Sequence, residues 1–250
     1  MAQDESHSAD EWKAGLWSRI HDLAVQDGVG IAQRHVCAVA GKVLDAEDVV
    51  VYHLTTDGRC EPAALTGPGA DRLSEAEITL GEGPALEALD TECPVLAQDL
   101  TAHDGLVRWP VFAPFGVSCG AGTVSAFPVV MGAVVVGCLE VFHRGPVEAG
   151  SELVVDGLLL ADAALRVFVG AGPTVPGVDP AVDAMEARWV AVHQATGVVA
   201  AQLGTSLSTA FVRMRAHAYL TGTRLADVAA DVLARKLVFS FGADPDGRPG

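Results

Sequence analysis

Apolar residues in this chain change their spacing twice, and those changes divide it. Over about 10–26, and again over about 31–44, the pattern is helical. In the second run Val36, Val39, Ala40, Val43 and Leu44 share one face. Asp27-Gly28-Val29-Gly30 separates the two. Short β-branched runs follow at 48–54 and 60–65, and Asp57-Gly58 between them is a turn signal, so they read as paired strands. Residues 94–98 read as a further strand. Residues 123–130 and 133–142 predict a hairpin turned at Met131-Gly132. Between these, Leu80-Gly-Glu-Gly-Pro84 opens a short helix, with Pro84 in a first turn where its missing N–H costs nothing. The segment with Trp109-Pro110 and Pro114 reads as a loop. A helix over about 150–169 closes the stretch, with Leu153, Val154, Gly157, Leu158, Ala161 and Leu165 on one face. Helix, helix, five or so antiparallel strands and a helix predict an α+β domain around one sheet.

From Ala181 the pattern is purely helical. Val182, Met185, Trp189, Val192, Thr196, Val199 and Leu203 are spaced alternately three and four apart, a heptad seam. Ala187, Ala191, Ala195 and Val198 form a second, small-residue face. Two readings of the seam stand: pairing with a second subunit, which we favour, or one wide core face of a monomer. Gly204-Thr205-Ser206 ends this helix, and Ser206 is a natural N-cap for the next. The second helix buries Leu207, Ala210, Phe211, Met214 and Ala218 and points Arg213, Arg215 and His217 outward. Thr221-Gly222-Thr223 breaks it, with Thr223 as the cap of a third helix that buries Leu225, Val228, Ala229, Val232 and Leu233 and ends at Arg235-Lys236. The expected map is a disordered acidic tail at 1–14, the α+β domain at 15–170, a Gly/Pro-rich linker at 171–181, an all-α three-helix module at 182–239 and a flexible tail at 240–250.

Charge first argues against a nucleic-acid partner, because the net is −16 at pH 7. Its distribution reverses that. Residues 1–180 hold 9 Lys and Arg against 26 Asp and Glu, whereas 181–250 hold 7 against 6. The acid belongs to the first domain and the helical module is mildly basic. Five scattered cysteines with no CxxC pair argue against a disulfide framework or closed zinc site and for reduced, mostly buried thiols. The longest apolar stretches are too broken for a membrane span, and the acidic start lacks the form of a secretory signal, so a soluble cytoplasmic protein without membrane contact is expected.

The stretches His193-Gln-Ala-Thr-Gly-Val-Val, Leu203-Gly-Thr-Ser, Ala210-Phe-Val-Arg-Met-Arg-Ala-His-Ala218 and Arg224-Leu-Ala-Asp-Val-Ala229 resemble the ANTAR family of RNA-binding antiterminators. The resemblance covers roughly 182–236. It implies a module that binds two small stem-loops in a nascent transcript and so keeps a terminator hairpin from forming. Cations hold phosphates in such sites and rings stack on unpaired bases. The residues that can do this are Arg213, Arg215, Arg224, Arg235 and Lys236 as cations, with His217 and Tyr219 as stacking surfaces. Many family members have Lys where this chain has Thr196, so the resemblance implies one cation fewer there.

Joined to that module, the α+β domain resembles a GAF domain, through Leu80-Gly-Glu-Gly-Pro84, Pro94-Val-Leu-Ala-Gln-Asp99 and the closing hairpin. The combination is of an actinobacterial type and implies a sensor that holds a small ligand between its sheet and covering segments. No cofactor is expected. Cys119, Cys138 and His143 form no metal-ligand spacing, and His143 reads as a residue facing water. Gly81-Glu-Gly83 is a candidate for presenting N–H groups to an anion. A domain used only for dimerisation, through the helices at 31–44 and 151–169, is the competing reading.

Three functions compete at this point. One is an RNA-binding regulator, a homodimer whose sensor signal passes through the linker to the heptad seam. The second is a helix-turn-helix DNA-binding regulator, disfavoured because Asp227 and Asp231 lie on the polar side of the would-be recognition helix. The third is an enzyme, disfavoured because no nucleophile triad, metal or phosphate-loop pattern is present. A sensor or dimerisation protein without nucleic-acid contact stays open as well.

Overall fold

A computed structural model of the protein describes residues 2–170 and 180–240. The linker expected at 171–181 and the tail at 240–250 fall almost wholly outside these. The chain forms two compact units, one of 1–74 with 82–178 and the other of 75–81 with 179–250.

The first unit is a three-layer α+β structure. Helix α1 (Ala2–Gln26) is followed by α2 (Gln33–Val43), then strands β1 (Asp48–Leu54) and β2 (Cys60–Thr66). Next come α3 (Ala70–Leu80), whose residues from 75 on fall in the second unit, then α4 (Pro84–Thr91), β3 (Val95–Asp99), α5 (His103–Arg108) and α6 (Phe112–Ser118). The hairpin β4 (Thr123–Met131) and β5 (Val134–His143) and the long α7 (Ser151–Gly170) complete it. The five strands pair antiparallel throughout, in the order β2-β1-β5-β4-β3. The first and last hairpins therefore meet at the centre, and β3 joins at one edge.

Burial on both faces explains why β1 is an unbroken apolar run rather than an alternating one. Val49 and Val51 join Phe127, Val129, Leu139 and Val141 in a cluster with Leu16, Ile20, Val36, Leu160 and Ala164 from α1, α2 and α7. Val50, Tyr52, Ala126, Glu140 and Phe142 alternate with these and are buried too. On that second face the Tyr52 hydroxyl donates to Glu140 Oε2 at 3.0 Å, and the Phe142 ring lies 6.5 Å from that of Phe112 in α6.

Three features of this unit depart from the pattern-based expectation, and one helix, α3, is not marked by the pattern. The acidic start is continuous with α1 instead of forming a tail, because extending an existing helix adds a hydrogen bond for each residue fixed. The helix α3 breaks no apolar rule but lacks a wide stripe, and its start is fixed from a distance: Asp48 Oδ1 accepts from Gly69 N at 2.6 Å and Ala70 N at 2.9 Å. The Trp109-Pro110 segment is two short helices, with Pro110 between them and Pro114 in the first turn of α6, where proline is tolerated. His143 does not face water. It is buried at the end of β5, with Nε2 2.8 Å from the carbonyl of Leu44.

The second unit holds α8 (Pro180–Leu203), α9 (Leu207–Thr221) and α10 (Leu225–Leu233), together with residues 75–81. Ser206 caps α9 as expected, accepting from Thr209 N at 3.2 Å, and Gly222 ends it in the left-handed conformation. Thr223 does not cap α10. Arg224 occupies that position with no side-chain cap of its own, while Thr223 shares a hydroxyl contact of 2.8 Å with Thr221.

Candidate nucleic-acid interface

Three of the described seam residues beyond Trp189, namely Val192, Thr196 and Val199, are buried inside the second unit, as are Met185 and Leu203. They pack with Ala210, Phe211 and Met214 of α9 and with Leu225, Val228, Ala229 and Val232 of α10, which are buried in the same unit. Thr196 Oγ1 donates to the Val192 carbonyl at 2.7 Å and lies 3.7 Å from Met214 Sδ. The side chain of Val182 lies outside the described residues, and Trp189 is half-buried. Within the unit these five seam residues line the core face toward α9 and α10, which is the second of the two readings of the spacing. The reason is that α9 and α10 are short and need the full apolar stripe of α8 to cover them. Thr196 belongs to this core and not to a surface.

The α9 surface is different. Val212, Arg213, Ala216, Tyr219 and Leu220 are all exposed and stand at i, i+1, i+4, i+7 and i+8, so they form one continuous face. Tyr219 is 54% exposed and Leu220 64%, so this face presents large side chains to solvent. His217 is half-buried and meets the Phe239 ring edge-on at 5.5 Å. Arg235, in the left-handed conformation, and Lys236 are exposed just after α10, and Lys236 reaches Asp231 at 3.7 Å.

Arg215 and Arg224 are engaged within the unit. Arg215 is half-buried, with Nε donating to the Thr79 carbonyl at 3.1 Å, and burial lowers the pKa of its guanidinium from the usual value. A Cβ on Gly81 would collide with the Arg215 guanidinium, so this glycine, at φ +74°, makes room for it. Arg224 forms an ion pair with Glu75. The other Glu75 oxygen, Oε1, accepts from Ala226 N at 3.0 Å. Glu75, Thr79 and Gly81 lie about 140 residues from these partners and carry no local pattern that marks them.

The candidates for a ligand in the first unit fare unevenly. Glu82 of the Gly81-Glu-Gly83 element accepts from Val111 N at 2.7 Å and Phe112 N at 2.9 Å, and Gly81 N is bonded to the Glu77 carbonyl. That element joins chain segments. Cys37, Cys60 and Cys138 are buried, and burial pushes the Cys37 thiol up to about 12. Cys119 is half-buried and Cys93 exposed. Among the described residues no group of three His, Cys, Asp or Glu is placed to hold a metal, and no single helix is long and apolar enough to cross a membrane.

Residues 181–233 match the ANTAR domain family. No curated protein matches the sequence. Among solved structures, the chain is similar to the GAF domain of an Acinetobacter phosphoenolpyruvate-protein phosphotransferase, at 12% identity and a TM-score of 0.45, over 62% of this chain and 92% of that one. It is similar to a GAF domain/HD domain protein from Geobacter sulfurreducens, at 19% identity and a TM-score of 0.42, over 63% of this chain and 96% of that one. It is also similar to a free methionine-R-sulfoxide reductase from Neisseria meningitidis solved with its substrate, at 15% identity and a TM-score of 0.42, over 54% and 75% of the two chains.

Proposed function

We propose that the protein is an RNA-binding transcription antitermination regulator, with the α+β domain as its GAF-like sensor and the face of α9 as its RNA surface. The observation that carries this reading is the exposed row Val212, Arg213, Ala216, Tyr219 and Leu220 in a segment that matches the ANTAR domain. Such a row pairs a cation for phosphate with a ring and apolar surface for unstacked bases, which is how single-stranded RNA loops are held. Arg235 and Lys236 extend the positive charge. Asp227 and Asp231 are exposed on α10, and that weighs against a DNA recognition helix, whose approach to major-groove phosphates they would oppose.

In this account Arg213 neutralises a phosphate and Tyr219 stacks on a loop base, while His217 packs against Phe239. Replacing Arg213 by Ala weakens binding to a synthetic RNA of two adjacent stem-loops and reduces the slope of log affinity against log salt by about 0.7, the value for one phosphate contact on a single strand. Replacing Tyr219 by Ala costs about 1–3 kcal/mol at all salt concentrations, because stacking is not ionic. Equal affinity and slope in both variants and the parent would refute the assignment.

A further inference from the structure

The start of α10 is an anion-binding arrangement already occupied from inside the unit. Its N-cap residue, Arg224, offers no acceptor, so the first-turn N–H groups need one from elsewhere. Glu75 supplies it: one carboxylate oxygen takes the Ala226 N–H while the other pairs with the Arg224 guanidinium. The Glu75 side chain is only 13% exposed, so it is held there rather than swept through solvent. One helical turn further along the same segment, the Thr79 carbonyl and Gly81 hold Arg215. A carboxylate on a helix N-terminus with a forked guanidinium is the chemistry that receives a phosphate. Two of the cations that the sequence offers for RNA are thus bound to residues 75–81.

Resting on the RNA-binding reading above, we propose that residues 75–81 mask a further part of the RNA surface at the start of α10, with Glu75 standing where an RNA phosphate binds in the active form. RNA must displace Glu75 from Arg224 and Ala226 N, and the displacement lowers affinity. Withdrawal of Glu75 breaks its pair with Arg224 and opens the α10 N-terminus together, adding a phosphate contact to those made by the α9 face.

The test compares the full chain with Glu75→Gln, Arg224→Ala and the double variant on the two-stem-loop RNA across a salt series. Gln keeps an oxygen for Ala226 N–H and removes the charge, so the α10 cap is retained. Glu75→Ala serves as a second variant against any particular effect of the amide. The mask predicts that both Glu75 variants bind about fivefold more tightly than the parent, the factor available from releasing one partly exposed ion pair. It also predicts a steeper salt slope and loss of the gain in the double variant. Parent binding with no gain in either Glu75 variant overturns the mask and leaves the RNA reading intact, as does a gain that survives Arg224→Ala. Absence of RNA binding in all the proteins overturns both.

Discussion

Thr196 of α8 sits against Met214 of α9, its hydroxyl 3.7 Å from the sulfur and hydrogen-bonded back to the Val192 carbonyl at 2.7 Å. Because the hydroxyl is satisfied within its own helix, this position tolerates an apolar side chain of similar size and resists a charge. Thr196→Val removes one hydrogen bond within the helix and is expected to change unfolding free energy by less than about 1.5 kcal/mol. Thr196→Lys must either bury an unpaired ammonium or part α8 from α9, and is expected to cost about 3 kcal/mol or more. Urea unfolding of the two variants checks this. A stable Lys variant would mean that α8 carries the position toward solvent.

Gly157 in α7 lies against the Phe127 ring, and a Cβ there would come within 2.5 Å of three ring atoms. An exposed helical glycine gains about 1 kcal/mol on conversion to Ala. Here the methyl overpacks a buried ring at the centre of β4, and the expected net is a loss of about 1–3 kcal/mol. Thermal unfolding of Gly157→Ala decides between the two signs.

His35 and Asp27 give the first unit a dependence on pH. His35 Nδ1 accepts from Ala32 N at 2.9 Å at the start of α2, so the proton of the neutral ring sits on Nε2 and faces Asp27 Oδ2 at 3.1 Å. Burial holds His35 below its ordinary value, ahead of the opposing hydrogen bond that it donates to Asp27. The unfolded chain therefore takes up this proton first, and stability falls as pH drops below about 6.5 toward the folded value. Asp27, lowered chiefly by its hydrogen bond to His35, adds a second loss as pH falls below about 4. His35→Gln keeps an acceptor for Ala32 N without titrating near neutrality, and its melting temperature is expected to be flatter than the parent's between pH 7 and pH 5, on the order of the His range. Parallel curves would place the effect elsewhere.

Elements with a complete local signal were legible in the sequence. The strands β1, β4 and β5 show as β-branched runs, α9 through Ser206 and Gly222, and the ANTAR stretch through the order of its motifs. What was not legible was set by distant contacts. The start of α3 depends on Asp48 of β1, and the fate of Arg215 and Arg224 depends on Thr79 and Glu75. The seam of α8 has the same spacing whether it meets a second copy or its own α9 and α10, so periodicity alone did not choose between them. His143 shows the same limit: the strand pattern places it at the end of the hairpin, and only the carbonyl of Leu44 explains its burial.

The central claim is that this chain binds structured RNA. Crosslinking the protein to RNA in cells and sequencing the bound transcripts tests it most directly. The account predicts enrichment of transcripts carrying two adjacent stem-loops ahead of a terminator, reduced for Arg213→Ala. Recovery of no RNA above an uncrosslinked control, or of transcripts without such stem-loops, would contradict it.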